Sequence, residues 1–283
     1  MNKTVFQCPN CLKALRQGEK QYFCANGHSF DIARKGYVNL LLSSHTGAGH
    51  PGDSKEMLQS RREFLEKGYY SKFSDKLNST VNLSNINFPI NNEAAQSINI
   101  FDAGCGEGYY ISRLKKSLPG KYENEDINYY GADVSKDAIN YAAGRDKGIR
   151  FAVASNYHIP IINSTVDYIL CIFAPRDEQE FRRILKPSGK LLVAVPGARH
   201  LYSLKKSMYQ VPEVIGQKGT VRQGFKLIEE SNILYDIHLK DKQDIINLFM
   251  MTPYSRHADV ETVKKMDELV TEVDINILVY ERV

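Results

Sequence analysis

The chain has 283 residues, 42% of them hydrophobic and 25% charged, the balance of a globular protein with one or two domains and a core of its own. That balance excludes low-complexity disorder and collagen-like repeats, and no apolar run approaches the ~20 residues needed to cross a bilayer. The net charge of +4 is too small to announce a nucleic-acid binder, but it is unevenly placed. Residues 1–55 hold seven basic side chains (Lys3, Lys13, Arg16, Lys20, Arg34, Lys35 and Lys55) against Glu19, Asp31 and Asp53, and the rest of the chain is balanced. A surplus at one end reads either as a solvated surface or as an electrostatic docking module. The stretch ahead of Cys8 lacks the apolar run of an export signal, so a cytoplasmic location is expected.

Three of the five cysteines fall in the first 24 residues, in Cys8-Pro-Asn-Cys11 and Cys24-Ala-Asn-Gly-His28. Two short-spaced pairs of this kind place four ligands at the corners of a tetrahedron, the arrangement of a closed structural Zn²⁺ site. Disulfides are the alternative, disfavoured by an intracellular setting and by the well-placed histidine. With four protein ligands no position is open for catalysis. So small a module has almost no core, and the metal is expected to supply its folding energy.

Residues 29–42 are expected to complete this small domain. Residues 43–54, rich in Gly, Ser and His, read as a loop in which His45 and His50 are not expected to be ligands. Asp53 or Ser54 then caps a helix reaching about Lys67, with Met57, Leu58, Arg61, Phe64 and Leu65 at helical spacing. Gly68 stops it and exposes Tyr69 and Tyr70.

From residue 98 strands alternate with helices. Strands are expected at 98–103, 129–134, 151–154, 166–173 and 191–195, with helices at 110–117, 136–143 and 178–185. This is the signature of a parallel, doubly wound α/β sheet. A strand at 226–238, a helix at 242–250 and a strand at 274–280 then predict an antiparallel hairpin at the sheet's end.

The first of these strands runs into Asp102-Ala-Gly104-Cys-Gly106-Glu107-Gly108. A glycine loop alone is weak evidence, but a dinucleotide enzyme wants G-x-G-x-x-G and room for a pyrophosphate. Here Asp102 would repel phosphate and attract an ammonium. Asp133, ending the second strand, is placed to accept both hydroxyls of a ribose. An amino acid joined to a nucleoside without phosphate is S-adenosylmethionine. The alternative for Asp102 is a turn cap.

With Gly131-Ala-Asp133-Val-Ser-Lys136 added, these motifs resemble those of class I S-adenosylmethionine-dependent methyltransferases. Over nearly its whole length the chain resembles one family among them, the bacterial 23S rRNA guanine-N1 methyltransferases (large-subunit rRNA methyltransferases of the A type). The likeness rests on the zinc module, Gly36-Tyr-Val-Asn-Leu-Leu41, Pro51-Gly-Asp-Ser54, Gly68-Tyr69-Tyr70, Pro196-Gly-Ala-Arg-His200-Leu201 and Met251-Thr-Pro-Tyr254. The resemblance implies a Rossmann-like, mostly parallel methyltransferase sheet with an antiparallel last strand, preceded by a small zinc-binding domain. It divides the chain into a zinc-binding RNA-recognition domain (1–42), a linker and helix (43–70) and a methyltransferase domain (71–283). It implies methylation of a guanine near hairpin 35 in domain II of 23S rRNA, a homodimer and no membrane partner.

Residue by residue, it makes Cys8, Cys11, Cys24 and His28 the zinc ligands. Tyr70, Glu107, Gly108 and His200 match positions that contact the cofactor, and Asp102, Gly104, Gly106 and Asp133 follow the general class I pattern. Where many class I enzymes carry an acid for the adenine amino group, this chain has Ser155 and Asn156, leaving Asn156 or backbone groups for that role.

Methyl transfer to guanine N1 requires positioning and loss of the N1 proton. Phe173, ending the fourth strand, is a candidate platform for an extruded base, or an ordinary core residue. Asp177 and Glu178 are candidates for the general base, with helix capping as the alternative. Cys105 and Cys171 read as small buried residues. Two rival readings remain: a small-molecule methyltransferase, opposed by the zinc module, and a non-enzymatic RNA-binding protein, opposed by the intact acidic and glycine positions.

Overall fold

The computed structural model describes residues 2–42, 52–83, 97–119, 122, 126–208, 219–256, 258 and 260–283. Most of the loop expected at 43–54, with His45 and His50, lies outside the described residues. The chain opens with four short strands, β1 (Asn2–Gln7), β2 (Ala14–Gln17), β3 (Gln21–Phe23) and β4 (Ser29–Asp31), paired in that order as an antiparallel sheet. β5 (Val38–Asn39) follows. Two helices come next, α1 (Lys55–Glu66) and α2 (Ser71–Thr80). Ser54 caps α1 by accepting the Met57 N–H (3.3 Å), as the sequence predicts. Helix α2 is not among the expected elements, although Phe73 and Leu77 mark its buried face.

The larger α/β layer follows as β6 (Ile98–Ala103), α3 (Tyr109–Ser117), β7 (Ile127–Asp133), α4 (Lys136–Arg145), β8 (Arg150–Val153), β9 (Val166–Ile172), α5 (Glu178–Ile184) and β10 (Leu185–Pro196). It is completed by α6 (Tyr202–Met208), β11 (Phe225–Leu239), α7 (Lys242–Met250), α8 (Val260–Lys264) and β12 (Leu269–Arg282). The eight strands of the large sheet lie in the order β11-β12-β10-β9-β6-β7-β8-β5. From β5 to β10 every pairing is parallel, and β12 and β11 add the expected antiparallel hairpin. Every residue of β9 is buried, as a strand covered on both faces requires, whereas most of β11 is exposed, as an edge strand allows.

One face of the sheet packs against α1 to α4 and α6 to α8, through Phe64, Leu77, Ile111, Leu114, Ile139 and Leu248 among others. The other is covered by α5 and, unexpectedly, by the N-terminal module: Val5, Phe6, Leu15 and Tyr22 share one apolar cluster with Phe101, Tyr130 and Ile169. Phe6 meets the Tyr130 ring edge-on at 5.5 Å. Burying each such side chain contributes ~1.5–3 kcal/mol, so the module is fixed to the sheet by apolar contact as well as by chain connection. Val38 and Asn39 form the eighth strand of the large sheet, parallel to β8, because the buried Val38 side chain and the free backbone groups extend its edge. Phe64 and Leu65 of α1 join the main core.

Candidate active site and metal centre

The two knuckles of the N-terminal sheet bring Cys8, Cys11, Cys24 and His28 together, with one ligand atom from each lying within 4.8 Å of the others. Tetrahedral Zn²⁺, with bonds of about 2.3 Å to sulfur and 2.0–2.1 Å to nitrogen, requires S···S edges near ~3.8 Å and S···N edges near ~3.5 Å. Cys11 Sγ and Cys24 Sγ are 3.7 Å apart, and His28 Nδ1 is 3.5 Å from both Cys8 Sγ and Cys24 Sγ. The donor set therefore fits zinc in a closed, structural site. All five cysteines are free, so the disulfide alternative falls away.

At the C-terminal ends of β6 and β7 the glycine loop folds tightly. Gly104 has φ +79°, and a Cβ there would meet the Ala174 side chain at 2.5 Å; Gly108, at φ +81°, starts α3 against Ala142. The Asp133 carboxylate accepts the Gly106 N–H (3.0 Å) and the Ser135 N–H (2.8 Å), one on each oxygen. Those bonds orient it and leave two lone-pair positions open. Asp102 is buried, and no hydrogen bond reaches its carboxylate among the described residues. Burial, with the Asp133 charge adding to it, pushes its pKa up to about 8. A buried carboxylate without a partner fits a cationic ligand group. The next acid, Glu107, accepts the Arg145 guanidinium on Oε2, while its buried Oε1 has no partner among the described residues. Burial raises its pKa in spite of Arg145.

A wall of rings stands opposite. His200 Nδ1 accepts the Asp274 N–H (3.2 Å), which puts the ring proton on Nε2, 3.4 Å from Tyr70 Oη. Burial pulls the His200 pKa down to about 4, so the ring is neutral at physiological pH. The turn carrying His200 is pinned to β12, where Asp274 accepts the Gly197 N–H on its carbonyl (2.8 Å) and the Arg199 N–H on its carboxylate (2.7 Å). Phe173 stacks on His200 with centroids 6.0 Å apart and leans on Phe73 at 5.6 Å. It is 39% exposed and sits at φ +53°, which rules out the ordinary core reading and leaves its ring facing solvent at the strand end.

The comparisons agree with this geometry. The model of the zinc-ribbon N-terminal domain of RlmA matches residues 6–45, and that of a methyltransferase domain matches residues 95–249. A 23S rRNA guanine-N1-methyltransferase of Micromonospora griseorubida is 35% identical over 208 residues, covering 70% of this chain and 68% of the relative. The 23S rRNA (guanine 748-N1)-methyltransferase of Streptomyces fradiae is 33% identical, covering 72% and 69%. A Bacillus subtilis relative, described like the Micromonospora protein as a 23S rRNA guanine-N1-methyltransferase with no position given, is 28% identical, covering 98% and 96%. The chain belongs to the 23S rRNA guanine-N1-methyltransferase family.

It is thus a methyltransferase whose fold takes S-adenosylmethionine, with a structural zinc in its N-terminal module. In this methyltransferase several short stretches that carried the resemblance converge. Arg61 pairs with Asp53 (2.5 Å) and donates to the Met251 carbonyl (3.3 Å), bringing the start of α1 and the end of α7 to the glycine loop. The Asn156 amide donates to the Pro175 carbonyl (2.9 Å) with its Nδ2 facing Gly104, and its Oδ1 can still accept. Asp177 and Glu178, expected as candidate bases, are engaged in holding the chain. Asp177 caps α5 by accepting the Gln179 and Glu180 N–H groups, and Glu178 accepts those of Arg222 and Gln223. Capping, the alternative reading, describes Asp177, whereas Glu178 ties the start of α5 to the segment before β11. Cys105 and Cys171 are buried, and burial pushes the Cys171 thiol up to about 12. Sequence reasoning missed Phe73, Arg145 and Asp274, each of which supports a predicted residue from a distant part of the chain.

Proposed function

We propose that this methyltransferase transfers a methyl group to N1 of a guanine in 23S rRNA, in the hairpin-35 region of domain II. The observation that carries the reading is the fusion, through one apolar core, of a zinc ribbon to a cofactor site whose open wall is aromatic. A small-molecule enzyme has no use for the exposed basic side chains Lys13, Arg16, Lys20 and Arg34 beside a metal site. An rRNA substrate places the activity in the cytoplasm.

Bound S-adenosylmethionine supplies an electrophilic methyl group. Asp102 receives the cofactor's ammonium, and the two open lone pairs of Asp133 receive its ribose hydroxyls. Asn156 Oδ1 is the acceptor offered to the adenine amino group, and the orphan Oε1 of Glu107 is available to the cofactor beside the glycine loop. Tyr70 and His200 close the site. His200 orients rather than abstracts, because its Nδ1 is filled and its Nε2 already carries a proton. Phe173 provides the face on which the guanine stacks. Replacing Phe173 by Ala should lower kcat/KM for RNA about 10–100-fold, the cost of one lost base–aromatic stack at ~1–3 kcal/mol. S-adenosylmethionine affinity, measured by calorimetry, should stay at the wild-type value.

The expected homodimer fits the open edge of β11, which exposes Leu227, Ile228 and Leu234. Sedimentation should show a dimer that Leu234→Glu converts to monomer. The function itself is tested by following labelled methyl groups from S-adenosylmethionine into naked 23S rRNA or into a metabolite extract. Label should enter the RNA. Label entering only small molecules would establish the rival enzyme.

A further inference from the structure

A basic concavity opens at the end of the sheet opposite the glycine loop. It encloses about 840 Å³ between the segment preceding β9, helix α5 and the outer hairpin, and its walls include Arg182, Arg183 and Arg282. Arg183 is already compensated, by Glu180 (2.7 Å) and by the carbonyls of Ile159 and Ile161 (both 2.7 Å). Arg282 is held by uncharged groups, Ser164 Oγ (3.1 Å) and the Leu185 carbonyl. Arg182 has no hydrogen bond or ion pair among the described residues. Its guanidinium lies across Gly224, where an added Cβ would collide with Nε. Glu178, at the start of α5, is turned to the backbone of Arg222 and Gln223. Arg182 and Arg282 thus share one pocket and neither makes an ion pair among the described residues, and Gln179 lies on the same wall. Burial and the neighbouring Arg182 charge both draw the Arg282 pKa below its ordinary value.

The pocket and the N-terminal module share a neighbouring segment, residues 159–164. The carbonyls that Arg183 holds belong to the segment on which β1 docks, where Gln7 donates to the Pro160 carbonyl and Ile162 to the Val5 carbonyl, both at 2.9 Å. We propose that this pocket is a phosphodiester site that grips the RNA backbone beside the zinc module while the target base reaches Phe173 at the far end of the sheet. The proposal rests on the rRNA reading above. The seven residues of β9 separate the two ends by about 23 Å at ~3.3 Å per residue, a span of roughly seven phosphates along a stacked strand. Arginine suits the task because its planar fork presents several donors to a phosphate at once.

The test uses the full-length, zinc-loaded protein and a 23S rRNA fragment containing hairpin 35, with affinity measured across a salt series. Arg182→Ala should weaken RNA binding about 3–10-fold at low salt and make the slope of log affinity against log salt shallower by about 0.7–0.9, one phosphate's worth of released counterions. Arg182→Lys should restore most of the slope, and S-adenosylmethionine affinity, which reports an intact fold, should be unchanged in both. Wild-type RNA affinity and slope in Arg182→Ala would overturn the proposal alone. So would saturable binding of inorganic phosphate that is lost in Arg182→Ala while the RNA slope stays fixed, since the pocket would then serve a free anion. Wild-type protein that binds no RNA at any salt would overturn the substrate reading and this site with it.

Discussion

Replacing Cys24 by Ser should strip the zinc from the N-terminal module and abolish tight RNA binding while leaving S-adenosylmethionine affinity within about threefold. Cys24 lies within 3.7 Å of Cys11 Sγ and 3.5 Å of His28 Nδ1, so its loss opens the tetrahedron at one corner. Structural zinc contributes ~10–16 kcal/mol of apparent binding free energy in small fingers, more than strands of three to six residues can replace. The strands β1 to β4 should then exchange their amide hydrogens freely. The consequence should stop short of the cofactor, because Asp102, Asp133 and the glycine loop are fixed by β6 and β7 rather than by the module. It should nevertheless reach the sheet's surface: Phe6 and Leu15 would leave Tyr130 and Ile169 exposed, and the protein should become prone to aggregate. Metal content, hydrogen exchange and calorimetry with the cofactor report the three effects separately. An equal collapse of cofactor binding would show that the module is part of the cofactor site.

Asp102→Asn should bind S-adenosylmethionine about 10–100-fold more weakly at pH 8, the loss expected for one charge-assisted hydrogen bond at ~1.5–3 kcal/mol. The wild type carries a further signature. With its pKa raised from 3.8 to about 8 by burial and by Asp133, Asp102 holds a proton at pH 7 in the ligand-free protein. Pairing with the cofactor's ammonium requires the ionised form, so binding at pH 7 should release close to one proton and affinity should rise with pH up to about 8. Calorimetry in buffers of different ionisation enthalpy measures that proton, and Asp102→Asn should release none. Stability should move the other way. A carboxylate whose folded pKa lies above its unfolded value contributes fully at low pH and loses that contribution as pH rises through the folded pKa. Asp102→Asn should therefore melt higher than wild type, with a gap that widens from about pH 4 to pH 8 and is level above it. Proton release from the variant equal to that of wild type would move the ammonium contact to another residue.

The parallel layer is legible in the sequence because its periodicity is local. A buried strand, a glycine loop and an amphipathic helix announce themselves within twenty residues, and the helix at Lys242–Met250 and the strand at Ile98–Ala103 fall where the pattern predicts them, to the residue. The zinc ligands are legible for the same reason, since two short knuckles carry all four. What the chain's pattern could not reveal is assembled from distant segments. Asp274 supports His200 across 74 residues, Arg145 holds Glu107 across 38, and Val38 extends a sheet whose next strand begins at Arg150. Phe173 is ambiguous in sequence because a phenylalanine at a strand end has the same local pattern whether it faces the core or the solvent; only the +53° φ and the His200 ring beneath it decide. Lys35 shows the reverse error. Its charge counts toward the docking surface, yet its ammonium donates to the Asn140 carbonyl and so ties the module to α4.

The most direct test of the account is to methylate naked 23S rRNA with the purified, zinc-loaded protein and map the product by primer extension, backed by mass spectrometry of the nucleosides. A methyl group on guanine N1 blocks Watson–Crick pairing, so extension should stop one nucleotide before a single guanine near hairpin 35, with N1-methylguanosine as the new nucleoside. Methyl label entering the RNA at another base or another atom, or no stop with wild-type protein that binds S-adenosylmethionine normally, would contradict it.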